Sequence, residues 1–211
     1  MYKRQDGTHA IREFTSAGAS VATFTPSVLD FRGTDWIDLA ADQKTIYYAG
    51  EGHSIQRFDT STSTQLTAFA TGLPGNNAFE LRILGNGGVL IADGSEVVEL
   101  DSTGAVIKQY TTANTFSGKT IGELFSLNLD PDGTTFWTGD DSNGVIYHVN
   151  IATGALLGSF TTCGTACLFG VSLFGEITTG HPVPEPTSVL LLGTALALVG
   201  WRFRKGFSPS A

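Results

Sequence analysis

The densest group of residues able to do chemistry is acidic. Asp130, Asp132, Asp140 and Asp141 sit close together in the chain, and carboxylate oxygens are the hard donors that calcium takes. Their spacing argues for a plainer role. Asp130-Pro131-Asp132-Gly133 and Asp140-Asp141-Ser142-Asn143-Gly144 each read as a hairpin turn, and neither fits the D-x-[DN]-x-[DN]-G calcium loop. A second set, Asp38, Glu80 and Asn128, lies in three separate segments that read as inner strands. Asp38 and Asn128 share a register, whereas Glu80 is shifted. Zinc would need four soft or imidazole donors. Cys163 and Cys167 are the two cysteines, and His9, His53, His148 and His181 show no ligand spacing. His53 falls at a hairpin tip. His148 alternates with Tyr147 and Val149 in a strand, the place of a packed or surface imidazole rather than a base. No G-x-S-x-G, P-loop or H-E-x-x-H occurs. The sequence therefore assigns no catalytic residue, no resident metal and no cofactor, with calcium as the one ion its acidic turns could attract.

A different chemistry is written at the C-terminus. Pro184-Glu185-Pro186 is followed by an uncharged apolar run from Val189 to Trp201, and then by Arg202, Arg204 and Lys205. Proline locks its own φ and keeps the preceding residue extended, so the triplet is presentable to an enzyme. The apolar run of 13 residues is short of the ~20 that a relaxed spanning helix needs. The basic cluster belongs on the cytoplasmic side. A removable motif, a marginal span and a basic stop together describe a sorting tail. This tail resembles the PEP-CTERM sorting signal of Gram-negative bacteria, because three independent features occur in the right order over residues 183–205. The resemblance implies export and recognition by an exosortase, a membrane-embedded cysteine protease-transpeptidase. It also implies inner-membrane anchoring before processing and a destination at the cell surface or in the exopolysaccharide matrix. The alternative is an ordinary tail anchor or a buried C-terminal helix, neither of which needs a Pro-Glu-Pro entry. Residues 206–211 extend beyond the family's pattern.

The other end of the chain disagrees with export. An exported protein carries a basic start, an apolar stretch and a small-residue cleavage site, whereas this chain opens M-Y-K-R-Q-D-G-T-H-A. The expectation is an N-terminally truncated chain. Residues 1–5 resemble a translated sequencing-adapter end and are expected to be foreign. Composition fits an exported all-β domain: 41% hydrophobic, 15% charged, 26 glycines and one methionine. Residues 6–183 hold 19 acidic against 7 basic side chains. That surface disfavours nucleic acid and anionic membranes. In an oxidising compartment Cys163 and Cys167 read most simply as a local disulfide, with two free thiols as the alternative. So short a loop would gain on the order of 1–2 kcal/mol.

The elements that would position these residues repeat. Residues 36–62, 79–104 and 124–154 share a register. Asp42-Gln43, Asn86-Gly87 and Asp132-Gly133 make the first turn. Second strands fall at 46–49, 89–92 and 136–138, and third strands at 55–58, 97–100 and 146–149. Asp59, Asp101 and Asn150 open the next turn, before fourth strands at 66–69, 106–110 and 156–160. Trp36, Phe79, Phe125 and Trp137 are read as recurring core aromatics. Four short antiparallel strands per unit at this period predict a β-propeller blade. Residues 11–24 match the back half of another blade, and residues 168–177 read as one more inner strand. The fold predicted is all-β: a partial β-propeller of about three and a half four-stranded antiparallel blades, followed by a C-terminal hydrophobic helix. A small sandwich or a four-bladed ring is the alternative. The hairpin at Asp130-Pro131-Asp132-Gly133 is similar to those of NHL- and YVTN-type propellers.

The boundaries follow: adapter residues 1–5, repeat domain 6–180, linker 181–187, membrane segment 188–201 and basic tail 202–211. Two function classes remain. One is a non-catalytic surface or matrix protein whose propeller binds or scaffolds, with exosortase and exopolysaccharide as partners and only a transient membrane contact. The other, implied by resemblance to lactonase and strictosidine-synthase-like propellers, is a metal-dependent hydrolase built on Asp38, Glu80 and Asn128.

Overall fold

Alternating β-branched and aromatic residues between Gly, Asp and Asn turns dictate short strands, and short strands are what forms. The computed structural model describes residues 2–5, 9–27, 32–75 and 77–175, with the backbone alone for 2–5. No helix occurs among them. The Pro184-Glu185-Pro186 motif, the apolar run to Trp201 and the basic residues Arg202, Arg204 and Lys205 lie outside the described residues. The chain divides between Thr179 and Gly180, and all described sheets belong to the first unit.

Four antiparallel sheets follow one another. The first holds β1 (Tyr2–Gln5), β2 (Ala10–Phe14) and β3 (Ser20–Phe24). The second holds β4 (Trp36–Leu39), β5 (Thr45–Ala49), β6 (Ser54–Asp59) and β7 (Thr64–Gln65), with β8 (Ala70–Thr71) also bonded to β6. The third runs β9 (Ala78–Ile83), β10 (Val89–Asp93), β11 (Glu96–Leu100) and β12 (Val106–Tyr110). The fourth runs β13 (Leu124–Leu129), β14 (Thr135–Asp140), β15 (Val145–Asn150) and β16 (Leu156–Thr161). The first strands β4, β9 and β13 lie beside one another. The sheets thus succeed each other in chain order, each with a back face toward the sheet before it and a front face toward the sheet after it.

The turns have the chemistry their sequences promise. Gln43, Gly87 and Gly133 occupy equivalent positions with φ of 60°, 84° and 69°, and each N–H closes a turn onto the carbonyl three residues back. Asp101 Oδ1 accepts from the N–H and hydroxyl of Thr103, and Asn150 Oδ1 does the same for Thr153. These side-chain mimics of a backbone turn end the third strand of each sheet.

Three apolar layers glue the sheets. Ile11 and Phe24 of the first meet Ile46, Tyr48 and Phe58 of the second. Ala49 and Ile55 meet Leu81, Ile83, Val89, Ile91, Val98 and Leu100 of the third. Leu90, Ala92 and Val97 meet Leu127, Leu129, Phe136, Tyr147 and Val149 of the fourth. Each Leu, Ile or Phe buried in this way contributes about 1.5–3 kcal/mol.

Three expectations need correction. Residues 66–69 do not form one strand: pairing is split between β7 and β8. The Arg57 guanidinium takes the Thr67 carbonyl between them, so a side chain supplies the bond a strand would have made. Up to Gly175, residues 168–177 form no strand. Trp137 does not share the place of the other core aromatics. Trp36, Phe79 and Phe125 form a string along the first strands, with ring centroids 5.3 and 4.5 Å from Phe125, whereas Trp137 stands on β14.

Candidate functional site

The polar residues that the first strands carry are built into a ladder between sheets. Asp38 on β4 accepts the N–H of Ile83 on β9 at 2.8 Å through Oδ2, while its Oδ1 takes the N–H of Leu39. Glu80 on β9 accepts the N–H of Leu127 on β13 at 2.8 Å. Its other oxygen meets Arg82 Nη2 at 2.5 Å, and Arg82 Nε reaches Asn128 Oδ1 at 3.4 Å. Asn128 on β13 donates from Nδ2 to the Val171 carbonyl at 3.0 Å. In each case the side chain points forward to the next segment around. The strands present N–H and C=O groups sideways, and neighbouring first strands are not paired by backbone, so side chains must satisfy those groups. Asp38, Glu80 and Asn128 are therefore brought into one succession, with ligand-type oxygens committed to backbone N–H groups.

A second set of latches fixes the loop that leads into each first strand. Asp93, at the end of β10, accepts the Gly75 N–H at 2.7 Å. Asp140, at the end of β14, accepts the N–H groups of Gly122 and Glu123 at 2.9 and 3.2 Å. Asn143 also bonds to Asp140, through its N–H and its Nδ2. The two latches gather carboxylates at one end of the sheets. Burial raises the carboxyl of Asp93, burial and the charge of Asp93 raise Glu96, and burial followed by the charge of Asp141 raises Glu123. The four aspartates that calcium could have attracted do not meet in one place. Asp132 Oδ1 caps the N–H and hydroxyl of Thr134, Asp130 faces β14 and β15, and Asp140 and Asp141 lie at the opposite end of β14. Among the described residues, no group of three or more His, Cys, Asp or Glu is placed to hold a metal ion.

A cluster with acid–base components that sequence reasoning missed sits on the front face of the fourth sheet. Trp137 and His148 are register partners across β14 and β15. Their rings stack at 4.0 Å with 3° between planes. Asp130 binds both, accepting from Trp137 Nε1 at 3.0 Å and meeting His148 Nε2 at 2.9 Å. It also takes the Thr135 hydroxyl. Burial alone would raise the Asp130 carboxyl, but bonds from Thr135, Trp137 and His148 outweigh it and hold the group below its ordinary range. Phe160 meets Trp137 edge-on at 6.1 Å. The alternation of Trp137 and His148 with buried Phe136 and Tyr147 was the signal available, but nothing in the sequence announced the pairing to Asp130. Beyond β16, Cys163 and Cys167 are joined in a disulfide with Cα atoms 6.4 Å apart.

Comparison with known proteins bears on the tail and the fold separately. The PEP-CTERM protein-sorting motif matches residues 182–205. No curated protein matches the chain. The sheets are similar to a functionally unknown protein from Desulfotomaculum acetoxidans, known from its crystal structure. The TM-score is 0.55 and the identity 14%, over 77% of this chain and 53% of that one. The chain thus spans about half the length of that protein. With 1165 solved chains matching, the fold is too common to name a function. The motif supports an exported protein sorted by exosortase, with a membrane-anchored precursor before processing, and the chain is accordingly one that carries a PEP-CTERM sorting motif behind an all-β body of four-stranded antiparallel sheets.

Proposed function

We propose that this is a cell-surface or extracellular-matrix protein whose sheets form an arc of a β-propeller and act as a non-catalytic binding or scaffold module. The match of the sorting motif to residues 182–205 carries the reading. Exosortase is the processing partner, and the membrane is touched through the C-terminal segment before release. A body of 19 acidic against 7 basic side chains over residues 6–183 suits a hydrated, polyanion-avoiding matrix component more than a nucleic-acid binder. The forward ladder favours a scaffold over a metal-dependent hydrolase, because Asp38 and Glu80 spend their oxygens holding the next sheet. The test is expression in a host with an exosortase, with intact mass reporting the C-terminus, beside a variant with Pro184, Glu185 and Pro186 changed to alanine. The reading requires loss of the tail from the parent and its retention in the variant. A tail kept by both, with the protein in the inner membrane, would sink it.

A further inference from the structure

Arg57, Glu99 and His148 hold one register position on β6, β11 and β15, and their polar atoms are served differently. Arg57 gives its Nε–H to the Thr67 carbonyl at 3.1 Å, and His148 meets Asp130 at 2.9 Å. Glu99 is the buried one of the three, at 9% exposure, and a buried carboxylate needs partners for both oxygens. Its Oε2 takes the Tyr110 hydroxyl at 2.7 Å. Burial raises the Tyr110 phenol, and the bond to Glu99 and the charge of Glu99 raise it further, so the phenol keeps its proton for that bond. The Ile151 carbonyl, 2.8 Å from the same hydroxyl, is served by Lys108 Nζ at 2.6 Å. Among the described residues Glu99 Oε1 accepts no hydrogen bond, and it is not sealed from solvent. Lys108, the register partner of Glu99 on β12, spends its ammonium on the carbonyls of Ile151 and Ala152.

Glu99 lines a cavity of about 350 Å³ between the third and fourth sheets. The walls are aliphatic: Ile83 and Leu84 at the end of β9, Leu129 at the end of β13, and Ile151 after β15. Asp132, which is exposed, adds a second carboxylate. Among the described residues no lysine, arginine or histidine lines the cavity.

We propose that this cavity is a binding site for an alkylammonium group, a protonated primary amine on a short aliphatic chain. Its volume falls within the range of small-molecule sites, about 300–1,000 Å³. Two carboxylates without a basic neighbour in the lining select a cation, and the bond from an ammonium N–H to a carboxylate is of the strong, charge-assisted kind. Aliphatic walls select a carbon chain over a bare metal ion, for which the described residues assemble no ligand group. No aromatic ring of the described residues lines the cavity, so the cage that a quaternary ammonium takes is lacking. A primary ammonium brings the N–H donors that Oε1 can accept. A free amine and the end of a lysine side chain share this chemistry. The inference rests on the cavity and not on the sorting reading.

Titration of the full chain in mild detergent with n-butylammonium chloride, followed by ligand-observed NMR against a detergent blank, tests it. The comparisons are n-butanol, the uncharged analogue, and Glu99→Gln, which keeps the shape of the side chain and an acceptor for Tyr110. Circular dichroism checks that the sheets persist. Butylammonium should bind with a Kd of about 1–10 mM, as its few heavy atoms allow. It should bind at least about ten-fold more tightly than butanol, and at least about ten-fold more weakly to Glu99→Gln than to the parent. Absence of saturable binding below about 50 mM overturns the proposal. So does butanol binding as well as the amine, or Glu99→Gln binding it as well as the parent. Should Glu99→Gln lose its sheet signal, Asp132→Asn takes its place, at an exposed position whose amide oxygen can still cap Thr134. A loss of about three-fold is then expected, and an unchanged affinity overturns the proposal. Nα-acetyl-lysine methylamide separates the two sources. Binding as tight as that of butylammonium makes the ligand a lysine side chain, binding about ten-fold weaker makes it a free amine, and either result sustains the site.

Discussion

Asp93 and Asp140 occupy the same place, at the end of the second strand of adjacent sheets, and do the same job with different completeness. Both are fully buried, and both grip a glycine N–H 18 residues back. Asp140 receives four hydrogen bonds. Among the described residues, Asp93 Oδ1 has no hydrogen-bond partner. The turns that follow explain the contrast. After Asp140 the turn is long enough to bring Asn143 back onto the carboxylate. After Asp93 the chain reverses at once through Gly94, at φ 69°, and no returning side chain is in reach. The length of one hairpin decides whether a latch is also a satisfied buried charge.

The contrast can be broken from either side. Asp140→Ala strands the N–H groups of Gly122, Glu123 and Asn143 and should cost about 3 kcal/mol in denaturant unfolding. A loss below about 1 kcal/mol would mean that the latch is incidental. Gly75→Ala should cost about 2 kcal/mol, since its Cβ would lie 2.2 Å from the Asp93 carbonyl oxygen. Gly122→Ala should cost a similar amount, about 2 kcal/mol, since its Cβ would lie 2.3 Å from the Ser142 Cβ, an atom that side-chain rotation does not move. A loss below about 0.5 kcal/mol for either glycine would show that its loop can give way.

Asp93→Asn sharpens the comparison further. It should stabilise the protein by about 1 kcal/mol at pH 7 by removing a buried, half-satisfied charge. The sign with pH follows from the raised carboxyl. The stabilising contribution of Asp93 is full below the unfolded value and is lost as pH rises through the folded one. The advantage of the Asp93→Asn variant over the parent should therefore shrink on acidification. Asp130 has the opposite sign. Its carboxyl is depressed, so its contribution is present above the unfolded value and is lost as pH falls through the folded one. Asp130→Asn should cost under about 1 kcal/mol at neutral pH, since the site is partly open. Trp137 fluorescence reports whether the His148 stack survives.

What could be read from the chain was whatever is local. Second and third strands fall where β-branched runs and turn residues put them, because both signals lie within about ten residues of each other. The first-strand carboxylates Asp38 and Glu80 could be found but not understood. Their partners, Ile83 and Leu127, are 45 and 47 residues away, and a backbone N–H has no letter in the sequence. Asp140 was legible as a turn residue, while its grip on Gly122 was not. The glycine 18 residues ahead of both Asp93 and Asp140 was the clue that could have revealed it. The outer strand of the second sheet failed for a related reason: the Arg57 side chain replaced a backbone bond, and propensity does not register such a replacement.

The ladder along the first strands has a direction. Asp38 waits for Ile83, Glu80 for Leu127 and Asn128 for Val171, so each rung is begun by an earlier residue and finished by a later one. A chain delivered to its folding compartment N-terminus first therefore offers every newcomer a site already in place. Order of arrival and order of assembly coincide, and the sorting motif at residues 182–205 comes last, presented to its protease only after the cargo it labels has had time to set.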